Sequence, residues 1–186
     1  MRHNLKLKLG IAVIAVLSVL AIAGPTGASA KCTTGGMSPA EIDVCTPTAK
    51  ARLLPSGIVI PPKSAPPRVK AVIAAANKIS RKPYIYGGGH ARWWDKGYDC
   101  SGAVSYALRG GKFLDSPLPS GPFEKWGTAG EGRWITVYTN PGHAYAVIAG
   151  IRWDTSGNSG ETGPRWHEDL RSDGSGSFVA RHPAGY

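Results

Sequence analysis

Tyr84-Ile85-Tyr86-Gly87-Gly88-Gly89-His90 and Tyr98-Asp99-Cys100-Ser101-Gly102 are the two stretches on which the reading of this chain turns. The first is an aromatic, extended run that ends in three glycines, residues that permit positive φ and close backbone approach. The second opens a helical window, Ala103 to Leu108, which Gly110-Gly111 closes. Cys100 therefore stands where a helix begins. Aligned backbone dipoles at such an end favour a thiolate, and a neighbouring imidazolium favours it further. The thiolate is the form of cysteine that attacks a carbonyl carbon, so Cys100 is a candidate nucleophile in need of a histidine.

Outward from this centre, the order of elements gives the fold class. Upstream, Val69, Val72, Ile73 and Ala76 recur at helical spacing and predict a helix over 67–80. Pro67 suits its first position, and Pro83 ends the pattern. Gly57-Ile58-Val59-Ile60 reads as a short strand or an apolar patch that packs on the domain. Downstream, residues 112–132 hold three Pro and four Gly and read as a long loop. Strands are expected over 134–138, 143–149, 151–155 and 177–181, with a turn at Asn140-Pro141-Gly142 and a polar loop over 156–175. Helices followed by antiparallel strands make an α+β fold, with the N-terminal helices packed on the sheet.

Of five histidines, His143 opens a strand directly after the turn, an edge position from which a side chain faces a groove. His90 lies ten residues before Cys100 and is the second candidate base. A third polar group usually orients such an imidazole. The hairpin through Ala149-Gly150 folds Asp154 back toward His143, so Asp154 is either the orienting group or a turn former in Asp154-Thr155-Ser156-Gly157. Asn158 and His167 are the next candidates for that place.

The start of the chain has another purpose. Arg2, Lys6 and Lys8 precede a 16-residue apolar run, Leu9 to Gly24, and small residues stand at Ala28 and Ala30. A charged start, a short apolar centre and an Ala-x-Ala exit describe a secretory signal peptide over residues 1–30. The run falls short of the roughly 20 residues of a membrane span, so no stable membrane insertion is expected after cleavage. A secreted chain permits disulfides. Cys32 and Cys45 are expected to pair, which leaves Cys100 as a lone thiol. The charge is +10, from 22 Lys+Arg against 12 Asp+Glu, and it is scattered. No basic run of five appears, so the charge points to an anionic surface and not to a nucleic-acid groove. With no Cys-x-x-Cys pair and no His-Glu-x-x-His, neither a metal nor a cofactor is expected.

Lys82-Pro83-Tyr84-Ile85-Tyr86-Gly87-Gly88, then Tyr98-Asp99-Cys100-Ser101-Gly102, then Gly142-His143 opening a strand, resemble the NlpC-type cell-wall cysteine peptidases over about residues 67–182. The resemblance implies a papain-like α+β core, Cys100 as nucleophile and His143 as base. It also implies Tyr84 beside the nucleophile, and Asp99 and Ser101 helping to hold a stem peptide. The family's third position is commonly His, sometimes Asn or Gln. Asp154, eleven residues after His143, takes that place here with a different residue type. Two other departures are Gly132-Arg133-Trp134-Ile135, where the family usually has Gly-Asp before two apolar residues, and an aromatic insert, Gly89 to Gly97. Trp93 and Trp94 of that insert either stack on sugar, line a groove or pack on the surface.

The implied organisation is a signal peptide over 1–30, a Pro-rich extension over 31–63 and a catalytic domain over 64–186. The implied activity is hydrolysis of D-γ-glutamyl-diamino acid amide bonds in peptidoglycan by a secreted, wall-associated monomer. An amidase or acyl transferase on the same core, and a wall-binding module whose site has decayed, are the alternatives.

Overall fold

A computed structural model describes residues 50–157, 163–171 and 178–186 of the chain. The expected signal segment, the Cys32–Cys45 pairing and Asn158 lie outside the described residues.

Two short strands, β1 (Arg52–Leu53) and β2 (Val59–Ile60), pair antiparallel. Helix α1 spans Pro67–Ile79, α2 spans Cys100–Gly110 and α3 is a single turn, Ser120–Phe123. Six strands follow: β3 (Thr128–Ala129), β4 (Ile135–Asn140), β5 (His143–Ile148), β6 (Ile151–Asp154), β7 (Arg165–His167) and β8 (Val179–His182). They form an antiparallel sheet in the order β3-β8-β4-β5-β6-β7. The architecture is α+β, as the order of elements predicts.

Helix α1 occupies the window expected for it, with Pro67 at its first turn and Val69, Val72, Ile73, Ala76 and Ile79 buried. Helix α2 starts three residues earlier than the apolar pattern predicts. The reason is local: the Asp99 carboxylate accepts the Gly102 N–H at 2.7 Å and caps the first turn. Its apolar face, Ala103, Val104, Ala107 and Leu108, packs with α1 and with Ile135, Val137, Ala146, Ile148, Ile151 and Trp153 of the sheet. Each fully buried Val, Leu or Ile contributes about 1.5–3 kcal/mol. A Cβ on Gly110 would collide with Ala75, so α1 and α2 lie as close as they do only because that residue is glycine.

The expected strands at 134–138, 143–149 and 151–155 are β4, β5 and β6. The two segments read as plain loops contain more than that reading gave them. Helix α3 and strand β3 lie within 112–132, and β7 lies within 156–175. Each has two to four residues, too few to show a period. The Ile58 patch is both a strand and a packing element: the Asn77 side chain bonds the Val59 N–H at 3.0 Å and its carbonyl at 2.9 Å. Ala51 and Val59 thus join the core ahead of α1. No helix of the described residues is long and apolar enough to cross a membrane.

Candidate active site

Three elements converge on Cys100. It is the first residue of α2, His143 is the first residue of β5 and Asp154 is the last residue of β6. The β5–β6 hairpin pairs Ala146 with Trp153, and one step further sets Tyr145 opposite Asp154. Side chains alternate along a strand, so Asp154, Tyr145 and His143 share one face. The Trp153 indole N–H bonds the Ala103 carbonyl at 3.1 Å and fixes β6 against α2. The hairpin is thereby held in place beside Cys100.

His143 Nε2 lies 2.9 Å from Asp154 Oδ1. The Cys100 thiol and the His143 imidazole act on each other's protonation, and with Nε2 bonded to Asp154 the other ring nitrogen, Nδ1, is the one left to serve the sulfur. The backbone N–H of Ala144 also favours the charged form of that sulfur. Burial resists a thiolate here, but the His143 hydrogen bond, the Ala144 N–H and the imidazolium charge together hold the Cys100 pKa below its ordinary value. Burial also resists charge on His143. The hydrogen bonds to Asp154 and Cys100 and their negative charges outweigh it and push the imidazole up to about 9. Both shifts act in the same sense, toward a thiolate–imidazolium pair at neutral pH.

Asp154 has a fully buried side chain and an unusually complete set of donors. Besides His143, Oδ1 accepts the Ser156 N–H at 3.1 Å and the Ser156 hydroxyl at 3.2 Å. Oδ2 accepts Arg171 at 3.2 Å and Arg152 at 3.4 Å. Desolvation raises the pKa of a buried carboxyl, but the His143 bond and charge, the Ser156 N–H and Arg152 more than reverse it, so Asp154 stays ionised. Sequence alone does not point to Arg152 and Arg171 as site residues, and it offers Ser156 only as part of a turn. Alternation along Arg152-Trp153-Asp154 was the available signal for the first, since it puts Arg152 and Asp154 on one face. No local pattern marks Arg171.

His90, the second candidate base, is engaged elsewhere. Its Nε2 lies 3.0 Å from Asp99 Oδ1 and 3.2 Å from Ser101 Oγ. Asp99 is buried and works inside the protein: besides capping α2, its Oδ2 accepts the Gly87 N–H at 3.0 Å. Ser101 is buried as well and reaches Asp99 at 3.3 Å. Together these residues bind the glycine segment to the start of α2. A Cβ on Gly102 would strike the Gly88 carbonyl oxygen, which is why that contact needs glycine. Tyr84 pairs with Tyr98 through an isolated bridge and is 39% exposed. Burial, then the charges of Cys100, Asp99 and Tyr86, raise its phenol pKa, which keeps the phenol neutral. His167 is buried next to Arg152, and burial and that charge lower its pKa. The structure therefore brings Cys100, His143 and Asp154 together, gives His90 to Asp99 and Ser101, and places His167 on the neighbouring strand, where it meets the backbone of Asp154 and not the His143 ring.

No family model matches this chain, and no curated protein sequence does. Solved structures do. A P60 domain from an antigen of M. avium subspecies paratuberculosis is 22% identical, with 61% of this chain and 93% of that one covered and a TM-score of 0.45. RipD of Mycobacterium tuberculosis, described as a non-catalytic NlpC/p60 domain protein adapted to peptidoglycan binding, is 19% identical over 63% and 98%, with a TM-score of 0.47. The peptidoglycan hydrolase RipB of Mycobacterium tuberculosis is 25% identical over 66% and 68%, with a TM-score of 0.48.

Proposed function

We propose that this chain is a cysteine peptidase of the NlpC/p60 kind, acting outside the cytoplasmic membrane on amide bonds in peptidoglycan stem peptides. The observation that carries the reading is the chain of contacts from Cys100 through His143 to the buried Asp154, placed at the start of α2.

The chemistry follows from that chain. The Cys100 thiolate attacks the amide carbonyl carbon, and the carbonyl oxygen becomes an oxyanion. Backbone N–H groups in the first turn of a helix have no partner within it, and that of Cys100 is the nearest donor to the oxyanion. His143 gives its proton to the amide nitrogen, the C–N bond breaks, and the amine leaves behind a thioester. Neutral His143 then takes a proton from water, hydroxide attacks the thioester carbonyl, and the carboxylic acid departs with the thiolate restored. Asp154 holds the ring and stabilises each imidazolium state. Tyr84, with Asp99 and Ser101 beneath the glycine segment, shapes the cleft for a D-γ-glutamyl-diamino acid stem.

Mature protein and the Cys100→Ala variant, incubated with defined muropeptides and read by mass, test the reading. Cleavage at the D-γ-glutamyl bond by the wild type alone is the expected result. Release of the intact stem from muramic acid would make the protein an amidase, and a product joined to an added amine would make it a transferase. Inactivity of both proteins on every muropeptide would leave a wall-binding module.

A further inference from the structure

Away from the nucleophile, the structure holds a pocket of about 590 Å³ between the C-terminal halves of α1 and α2. Its volume is within the range of about 300–1,000 Å³ that accommodates small ligands. Lys78, Arg109 and Lys112 line it, opposed by one carboxylate, Asp115, and walled by Trp93 and Tyr106. Arg109 lies nine residues along α2 from Cys100, about 14 Å at 1.5 Å per residue, so this is a separate place on the surface.

Three observations mark it as built. The aromatic insert is pinned and not loose: the Tyr98 hydroxyl donates to the Trp93 carbonyl at 2.8 Å and accepts the Asp95 N–H at 3.1 Å. The Arg109 guanidinium lies 4.9 Å from the centre of the Trp93 ring, which fixes a cation beside the aromatic wall. Lys112 adopts a left-handed backbone, φ 58°, where glycine is the easier residue, and the exposed lysine side chain is kept there nonetheless. That turn is held from below, with Arg68 donating to the Gly111 and Lys112 carbonyls at 2.6 Å each. Among the described residues, no carboxylate lies within salt-bridge distance of Lys78, Arg109 or Lys112. Among the described residues, three cations thus line the pocket without a carboxylate paired to them.

We infer that this pocket is an accessory binding site for an anionic glycan. The aromatic walls suit the C–H face of a pyranose ring, the three cations suit its carboxylate or phosphate, and Asp115 accepts a sugar hydroxyl. The site holds the polymer while the Cys100 centre works on a separate branch. The inference rests on the proposed wall activity only for the source of the glycan, because the pocket's own chemistry defines the ligand class. Nucleic acid, the other polyanion, needs a continuous basic groove, whereas among the described residues the lining of this pocket holds three cations.

The test uses the mature protein and its Arg109→Gln, Lys112→Gly and Arg109→Gln/Lys112→Gly variants. Lys112→Gly removes the cation while easing the backbone, so loss of binding cannot be blamed on strain. Retardation is read in native gels cast with oligogalacturonate, phosphorylated dextran or plain dextran, with oligothymidylate as the nucleic-acid arm. The wild type is expected to be retarded by one or both anionic glycans and not by plain dextran. Each single variant should weaken retention about tenfold, the worth of one charge-assisted contact, and the double variant should abolish it. The uronate and phosphate arms identify which anion is preferred. No retention of the wild type, equal retention of the double variant, or tighter retention by oligothymidylate would overturn the inference. Muropeptide cleavage by the variants should match the wild type, and a parallel loss would show that these residues serve the catalytic centre instead. If the wild type cleaves no muropeptide yet is retained through Arg109 and Lys112, the pocket stands and the peptidase reading falls.

Discussion

Replacing Asp154 by Asn changes one oxygen for one amide group and tests the site at its least exposed point. The carboxylate offers Oδ1 to His143 and Oδ2 to two guanidinium groups. An amide cannot do both. If its NH₂ group stood where Oδ2 stands, it would face the donors of Arg152 and Arg171. If the amide turns over, its NH₂ group faces His143 Nε2, and the ring must then carry its proton on Nδ1, toward Cys100. A neutral imidazole of that tautomer has no lone pair for the thiol proton. The electrostatic part of the loss can be bounded. His143 is raised from 6.5 to about 9 against the pull of burial. At about 1.4 kcal/mol per pH unit, the two anions that face it supply at least about 3 kcal/mol of support for the imidazolium. If Asp154 carries half of that, losing its charge costs roughly tenfold in the ion-pair population, and fixing the wrong tautomer multiplies the loss toward 10³–10⁴ in kcat. The assay is twofold: muropeptide cleavage, and the pH dependence of iodoacetamide labelling at the Cys100 peptide read by mass. Circular dichroism must first show that the variant is folded, because Arg152 is buried and Arg171 half-buried, and weakening a buried ion pair costs up to about 3–5 kcal/mol. A folded Asp154→Asn protein with less than a tenfold loss in kcat and an unmoved labelling midpoint would refute the orienting role and leave Asp154 as a turn former.

The pH profile of cleavage should be a bell. The raised His143 holds its proton until about pH 9 and loses it above, so the alkaline limb belongs to the imidazolium, while the acid limb lies where the lowered Cys100 takes a proton; in Asp154→Asn the alkaline limb should move down by more than one unit. His90→Ala should retain cleavage within about tenfold while lowering thermal stability, since it removes a partner of Asp99 and not of Cys100; a loss as large as that of His143→Ala would exchange the two roles. Gly102→Ala should be among the most damaging single changes, costing about 3 kcal/mol or more, because the new methyl collides with a backbone oxygen that has nowhere to go. A melting temperature equal to that of the wild type would show that the glycine segment yields.

How much of this was legible beforehand depended on whether a residue announced itself locally. Cys100 did, because Asp99 before it and Gly102 after it are a capping residue and a close-approach residue around a helix start. The hairpin did as well, since its strands are long enough to show their character, and it carries His143 and Asp154 with it. The rest depends on contacts distant in sequence. Arg171 reaches Asp154 from seventeen residues away, and Arg165 reaches the Ser80 carbonyl from eighty-five. The Ala144 N–H that faces the sulfur is a backbone group, identical in kind to every other in the chain, and only the fold distinguishes it. His90 was a fair candidate by position, and it took the structure to show that its ring belongs to Asp99 and Ser101.

The residue type at the third position now has a physical account. The resemblance implies His, sometimes Asn or Gln, beside the base, and a buried carboxylate there brings a difficulty as well as a gain. It stabilises the imidazolium, but an unbalanced negative charge behind the ring also repels the thiolate that the ring is meant to support. Arg152 and Arg171 resolve the conflict, because both contact Oδ2, on the side of the carboxylate turned away from the His143 bond. Arg152 in turn meets Asp169 at 3.1 Å. Taken in order, thiolate, imidazolium, Asp154, Arg152, Arg171 and Asp169 carry −1, +1, −1, +1, +1 and −1, and the sum is zero. Because these charges sum to zero, the first carboxylate oxygen acts on the imidazole at hydrogen-bond range while the two guanidiniums on Oδ2 offset its more distant field at sulfur. An aspartate in this place therefore belongs with the two arginines as one unit. If Asp154 orients the base, it does so with Arg152 and Arg171 behind it, whereas a carboxylate with no such partners would weaken the nucleophile.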